Sequence, residues 1–217
     1  MKNYFIILIS LFLSVNLISA QTDARKILDA MTAKINSYNS VSIDFSIVHE
    51  DNQNQITNTE NGRIIAKGKD FCKFKITMPN SDVYCDGTTK WFYMKDVDEI
   101  NITLADFDSE EMNDNPVKFF TNDRKNMKYS YKKTFTENQK QLDEIDFYPK
   151  DRNAAYSIIR LHIEKATNHP LCVKYFGKDG NIYTVKVDKI TPNLVIDDKI
   201  FNFDTSQYPN AEIVDLR

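Results

Sequence analysis

Three histidines, three cysteines and scattered carboxylates are the groups from which this chain would have to build catalysis or a metal site. His49 ends an alternating run, His162 stands between Arg160 and Glu164 on the polar side of another, and His169 precedes Pro170 in a turn. A serine nucleophile on a strand-to-helix elbow needs Gly-x-Ser-x-Gly, and a zinc peptidase needs His-Glu-x-x-His on one helix face; neither string occurs. Cys72, Cys85 and Cys172 lack the Cys-x-x-Cys spacing of zinc or redox sites. His49-Glu50-Asp51 offers metal-ligand types, but neighbours along a strand point to opposite faces. Asp108, Glu110 and Glu111 suit a solvated helix start better than an acid–base pair. The sequence therefore presents no catalytic residue, no metal ligands and no cofactor motif, and it reads as a non-enzyme. What it does hold is an excess of large apolar side chains, including 14 Phe and 11 Tyr. The elements that position them carry the functional question.

The first twenty residues read as a cleaved secretory signal. Lys2 gives a positive start, Tyr4 to Ile18 is an apolar run short for a membrane span, and Ile18-Ser19-Ala20 precedes Gln21. No cysteine follows the apolar run, so a lipid anchor is not expected. Residues 21–217 then form one domain exported to the periplasm. The formal net charge is −3, one unit more negative without Lys2, which argues against nucleic acid as a partner. An odd cysteine count is not a disulfide framework; at most one pair forms. Cys72 shares the apolar register of Phe74 and Ile76 and reads as a buried free thiol.

Thr22 to Ser37 reads as an amphipathic helix, with Ala24, Ile27, Leu28, Met31, Ile35 and Tyr38 on one stripe. Thr22 or Asp23 can cap it. Val41, Ile43, Phe45 and Ile47 alternate with polar residues as a half-buried strand, and the polar stretch Asp51 to Asn61 reads as a loop or ragged hairpin. A strand through Ile64 and Ile65 ends in a turn at Lys67-Gly68-Lys69-Asp70. Cys72, Phe74, Ile76 and Met78 form the next apolar face. Val83 to Tyr93 reads as strand, Asp86-Gly87 turn, strand, and contains Trp91, the one tryptophan. Another strand covers Asp98 to Leu104. Asn115-Pro116 then signals a short helix with Val117, Phe119 and Phe120, either a movable flap or a fixed plug of the core. Strands resume around Tyr129, Ile145, Leu161, Val173 and Val185, and Phe201 and Phe203 end the pattern. Many short strands with turn signals predict one large, curled antiparallel sheet. Its apolar face is either filled by helices or encloses a cavity for apolar ligands, and composition does not separate the two.

The order of these elements resembles the periplasmic lipoprotein carrier family LolA. The resemblance runs from the first helix through Asp44-Phe45, Gly62, Phe71 to Ile76 and Asp86-Gly87-Thr88-Thr89-Lys90-Trp91-Phe92-Tyr93. It continues through Asn115-Pro116-Val117, where the family has a lid helix, to Phe201-Asn202-Phe203, Pro209 and Glu212-Ile213-Val214-Asp215. It implies a mainly β (α+β) fold, an unclosed antiparallel β-barrel or half-barrel, with helices covering an apolar cavity. It implies a monomeric periplasmic carrier that takes acylated lipoproteins from an inner-membrane ABC transporter to an outer-membrane acceptor. By matching position, Phe45, Ile47, Ile65, Phe74, Ile76, Trp91, Tyr93 and Phe119 would line the cavity, with Pro116, Val117 and Phe120 in the lid. The family's latch arginine, followed by proline at the end of the second strand, is replaced here by Lys67-Gly68-Lys69-Asp70, and lysine lacks its rigid donor fork. The alternative on the same fold is a lipid sensor or protein-binding adaptor.

Overall fold

The computed structural model describes residues 23–107 and 127–217. The predicted signal segment and the predicted lid residues Pro116, Val117, Phe119 and Phe120 lie outside the described residues. Helix α1 spans 23–36. Its expected stripe is its buried face: Ala24, Leu28, Met31 and Ile35 are at most 3% exposed. Burying Leu28, Met31 and Ile35 contributes roughly 1.5–3 kcal/mol each. The surface pair Arg25–Asp29, 3.7 Å apart and mostly in water, adds little, so packing rather than surface charge holds α1 in place.

Twelve strands form one sheet among the described residues. They are β1 (Ser40–Asp51), β2 (Ile56–Lys67), β3 (Lys73–Thr77), β4 (Ser81–Cys85), β5 (Thr89–Met94) and β6 (Glu99–Leu104). After these come β7 (Met127–Glu137), β8 (Lys140–Pro149), β9 (Tyr156–Glu164), β10 (Pro170–Gly177), β11 (Asn181–Pro192) and β12 (Glu212–Asp215). Their spatial order is β12-β6-β5-β4-β3-β2-β1-β11-β10-β9-β8-β7. Two antiparallel meanders, β1 to β6 and β7 to β11, are thus joined side by side through the long β1–β11 pairing. The edge strands β7 and β12 do not meet, so the sheet is an unclosed barrel. β12 runs parallel to β6, the one departure from antiparallel order.

Register divides the side chains between two faces. Ile64 stands opposite Ile76, which stands opposite Val83; Ala66, Phe74 and Cys85 form the neighbouring row. These belong to the inner face, which carries α1. There Ile35 and Tyr38 pack with Val41, Ile43, Ile64, Ala66, Phe71 and Phe74. Ala24, Leu28 and Met31 pack with Ile145, Phe147, Ile159, Leu161, Ile163 and Val173. The outer face has its own smaller core, where Tyr84, Ile100 and Ile102 lie under Phe203 and Tyr208 of the C-terminal segment.

The Asp86-Gly87 hairpin forms as expected. The Asp86 carboxylate accepts from the amides of Thr88 and Thr89, both at 2.8 Å, and Gly87 takes φ +100°. Of the two readings of the polar stretch Asp51 to Asn61, loop or ragged hairpin, the structure takes the hairpin: β2 pairs with β1 from Ile56 onward, and backbone pairing holds it although its side chains are solvated. Asp51 closes the short turn by accepting from the amides of Gln53 and Asn54. Phe201 and Phe203 do not end a strand: Asp198–Phe201 is a 3-10 turn capped by the Asp197 carboxylate. All three cysteines are free; Cys72 is half-buried, and Cys85 is the fully buried thiol, pushed up to about 11 by burial.

Candidate functional site

Between the two inner-face clusters runs a strip of half-buried apolar side chains. Phe45 and Ile47 of β1 stand opposite Val187 and Val185 of β11; Ile76 of β3 stands opposite Val83 of β4. Alternation brings these residues to one face, and the β1–β11 junction makes the strip continuous across both meanders. A bulge between Asp44 and Phe45 resets the register at this point, so that Phe45 meets Val187. Phe45 lies across the backbone of β2 at Gly62. A Cβ there would stand 2.5 Å from Phe45 Cζ and 2.3 Å from Met78 Sδ, so only glycine lets the ring and the thioether lie this close. Chemically the strip offers apolar contact area, the property of a surface that receives hydrocarbon.

The residues expected to line a cavity separate into three groups. Phe45, Ile47 and Ile76 lie together on the strip. Phe74 shares their face but is 0% exposed, so it supports the strip from within the core. Ile65, Trp91 and Tyr93 stand on the outer face: Ile65 is opposite Lys75, Trp91 lies between Tyr84 and Ile102, and Tyr93 is opposite Ile100. The C-terminal segment explains why the outer face is aromatic there. Phe203 meets Tyr84 edge-on at 5.0 Å and stacks on Tyr208 at 4.9 Å, and Tyr208 meets Tyr93 at 4.7 Å. The strip residues that matching position did not supply are Val83, Val185 and Val187. Their alternation was visible, but their shared face with Phe45 depends on pairing across about 140 residues of sequence.

The three histidines occupy three separate places. His49 stacks on Tyr183 at 4.4 Å and meets Asn181 Oδ1 through Nε2. His169 bonds the Tyr38 hydroxyl. His162, on the outer face, lies 3.1 Å from Glu144 Oε2, and burial holds it below the usual imidazole range against the pull of Glu144. Beside it Arg160 donates to both oxygens of Asp146, at 2.7 and 2.9 Å, in a bidentate pair. This is a structural network on the outer face, away from the strip. Among the described residues no group of His, Cys, Asp and Glu has the arrangement of a metal site.

At the position of the missing latch arginine, Lys67 Nζ donates to the Ile196 carbonyl at 2.9 Å and to Asp198 at 2.6 Å. Lys73 donates to the other Asp198 oxygen, also at 2.6 Å, and the two lysines hold this carboxyl down to about 2. The cation at the end of β2 thus ties the sheet to the C-terminal segment.

Among the described residues, an unclosed sheet carries helix α1 across its inner face, with an apolar strip beside that helix. Residues 36–204 match the family described as outer membrane lipoprotein carrier protein LolA, and the chain belongs to that family, whose members are carrier and binding proteins. Among solved structures it is similar to an uncharacterized conserved protein from Thermus thermophilus, at TM-score 0.59 and 10% identity over 89% of this chain and 99% of that one. It is also similar to MucB, at TM-score 0.51 and 12% identity over 89% of this chain and 66% of MucB. The LolA superfamily protein NE2245 from Nitrosomonas europaea aligns with 83% of this chain and 98% of its own length, at TM-score 0.44 and 11% identity. Likeness at these identities is likeness of fold. No curated protein matches the sequence. Among the described residues no helix is long and apolar enough to cross a membrane.

Proposed function

We propose that this chain is a periplasmic carrier that shelters the acyl chains of lipoproteins against its inner strip. It takes them from an inner-membrane ABC transporter to an outer-membrane acceptor. The observation that carries this reading is the half-buried strip of Phe45, Ile47, Ile76, Val83, Val185 and Val187 on the face beside α1. Each acyl methylene removed from water is worth about 0.8 kcal/mol, so a lipid-modified protein crosses an aqueous compartment only with its chains covered. The strip's own side chains are uncharged, so contact area supplies most of the binding, which leaves release open to competition from a membrane or acceptor. In this reading Phe119 completes the lining, and Pro116, Val117 and Phe120 belong to a lid. Native mass spectrometry of the protein purified gently from its own cells tests the proposal. A bound lipoprotein or phospholipid is expected. A clean unliganded mass, unchanged after addition of an acylated lipoprotein, overturns it in favour of a protein-binding adaptor. MucB, which has this fold, has been crystallised in complex with MucA(peri).

A further inference from the structure

Two buried hydroxyls among the described residues lack a hydrogen-bond partner: Tyr175 Oη and Thr103 Oγ1. Register puts both on the inner face. Thr103 stands opposite Lys90, at the far wall of the sheet. Tyr175 stands next to the strip. It lies two residues beyond Val173, which is opposite Val185, and its own neighbours across the sheet are Tyr183 on β11 and Ile159 on β9. Its ring packs edge-on against Tyr156, with centroids 5.9 Å apart. Phenylalanine would fill the same space and make the same contact without a buried polar atom. The hydroxyl therefore has donor capacity left for a water or for a ligand that reaches the strip.

The surroundings narrow the kind of acceptor. Val173, Val185 and Ile159 offer it no side-chain oxygen, and the hydroxyls of its neighbours Tyr156 and Tyr183 do not bond it, so a ligand that pairs with it brings the acceptor on an otherwise apolar body. A phenol buried in this way is a donor at any physiological pH, because burial pushes its ionisation well above the usual tyrosine range. The complementary group is an acceptor that carries no donor of its own and is attached to hydrocarbon, which describes an acyl-ester carbonyl. We propose that the Tyr175 hydroxyl donates to an ester carbonyl of the bound acyl lipid. It fixes the glycerol end of the lipid at β10 while the chains run along Val185, Ile47 and Phe45. This assignment rests on the carrier reading and adds a chemical preference to it: ester-linked acyl lipids over ether-linked ones.

Calorimetric titration of the protein with dioctanoyl phosphatidylglycerol and with its dioctyl ether analogue tests the assignment. The two probes differ at the carbonyls and share their hydrocarbon. The wild type is expected to bind the ester about five- to tenfold more tightly, the factor of one neutral hydrogen bond. Tyr175→Phe is expected to bind both probes equally, with ether affinity unchanged and an unliganded melting temperature at or above that of the wild type. Equal binding of both probes by the wild type, or an ester preference that survives Tyr175→Phe, overturns the anchor and leaves the carrier reading standing. Binding of neither probe by the wild type overturns both. If the variant fails to fold, an ester-to-ether ratio near one in the wild type still overturns the anchor.

Discussion

Gly62→Ala should destabilise this protein, although alanine is ordinarily the better residue within a strand. The ordinary gain is about 0.5–1 kcal/mol, from the lower chain entropy of the unfolded state. Against it stands the packing of the strip. The new methyl carbon would lie 2.5 and 2.8 Å from Cζ and Cε2 of Phe45 and 2.3 Å from Met78 Sδ, where ordinary contact begins at 3.4 Å. Met78 is flexible and its end swings aside at little cost. The rigid ring has to retreat by roughly 1 Å, which lifts it from β2, and overpacking of this kind costs about 1–3 kcal/mol. The balance is a net loss of up to roughly 2.5 kcal/mol, read as a lower urea midpoint at unchanged slope. Phe45→Ala removes the obstacle. In that background Gly62→Ala should be neutral or stabilising, so the double-mutant cycle should show a coupling of about 1–3 kcal/mol, the overpacking cost itself. If Gly62→Ala stabilises the wild type, or costs the same in both backgrounds, the ring does not lie over Gly62 and the geometry of the strip described above is wrong.

Trp91 lies on the outer face under the C-terminal segment, so its fluorescence should not change when an acyl ligand fills the inner strip. A saturable shift in Trp91 emission that tracks lipid binding would place the ligand on the other side of the sheet. Arg160→Met should cost about 3–5 kcal/mol in urea unfolding, because it strands the Asp146 carboxylate, whose side chain is 2% exposed; Arg160→Met with Asp146→Leu should recover much of the loss. His162 resists protonation in the folded state, whereas the unfolded chain titrates near 6.5. The unfolded state therefore binds more protons below that pH. Stability is full above about pH 6.5 and falls as the pH drops below it. His162→Gln should flatten this slope between about pH 7 and about pH 5, and an unchanged slope would assign the dependence elsewhere, His169 being shifted in the same direction.

The local parts of the fold were legible because they are set by residues close in sequence. The α1 stripe follows from side chains three and four apart, and Leu28, Met31 and Ile35 are buried as that spacing requires. The Asp86-Gly87 turn follows from one carboxylate and one residue able to take positive φ. The strip was legible in part. Alternation puts Phe45 and Ile47 on one face of their strand and Phe74 and Ile76 on one face of theirs. It does not say that Ile64, rather than Ile65, shares that face, because both are isoleucine and neither period nor composition distinguishes them.

Trp91 and Tyr93 show the same limit more sharply. In sequence they belong to an apolar hairpin, and an apolar hairpin is naturally assigned to the interior. The sheet has two covered faces, however, and the second cover comes from Phe203 and Tyr208, more than a hundred residues further on. Sequence determined that these strands exist, where they turn and which side chains alternate, since those depend on local sterics and hydrogen bonding. Only the tertiary structure decided which alternate set faces α1 and which faces the C-terminal segment. That choice is made by strand register and by the docking of distant segments, where a shift of one residue exchanges the two faces.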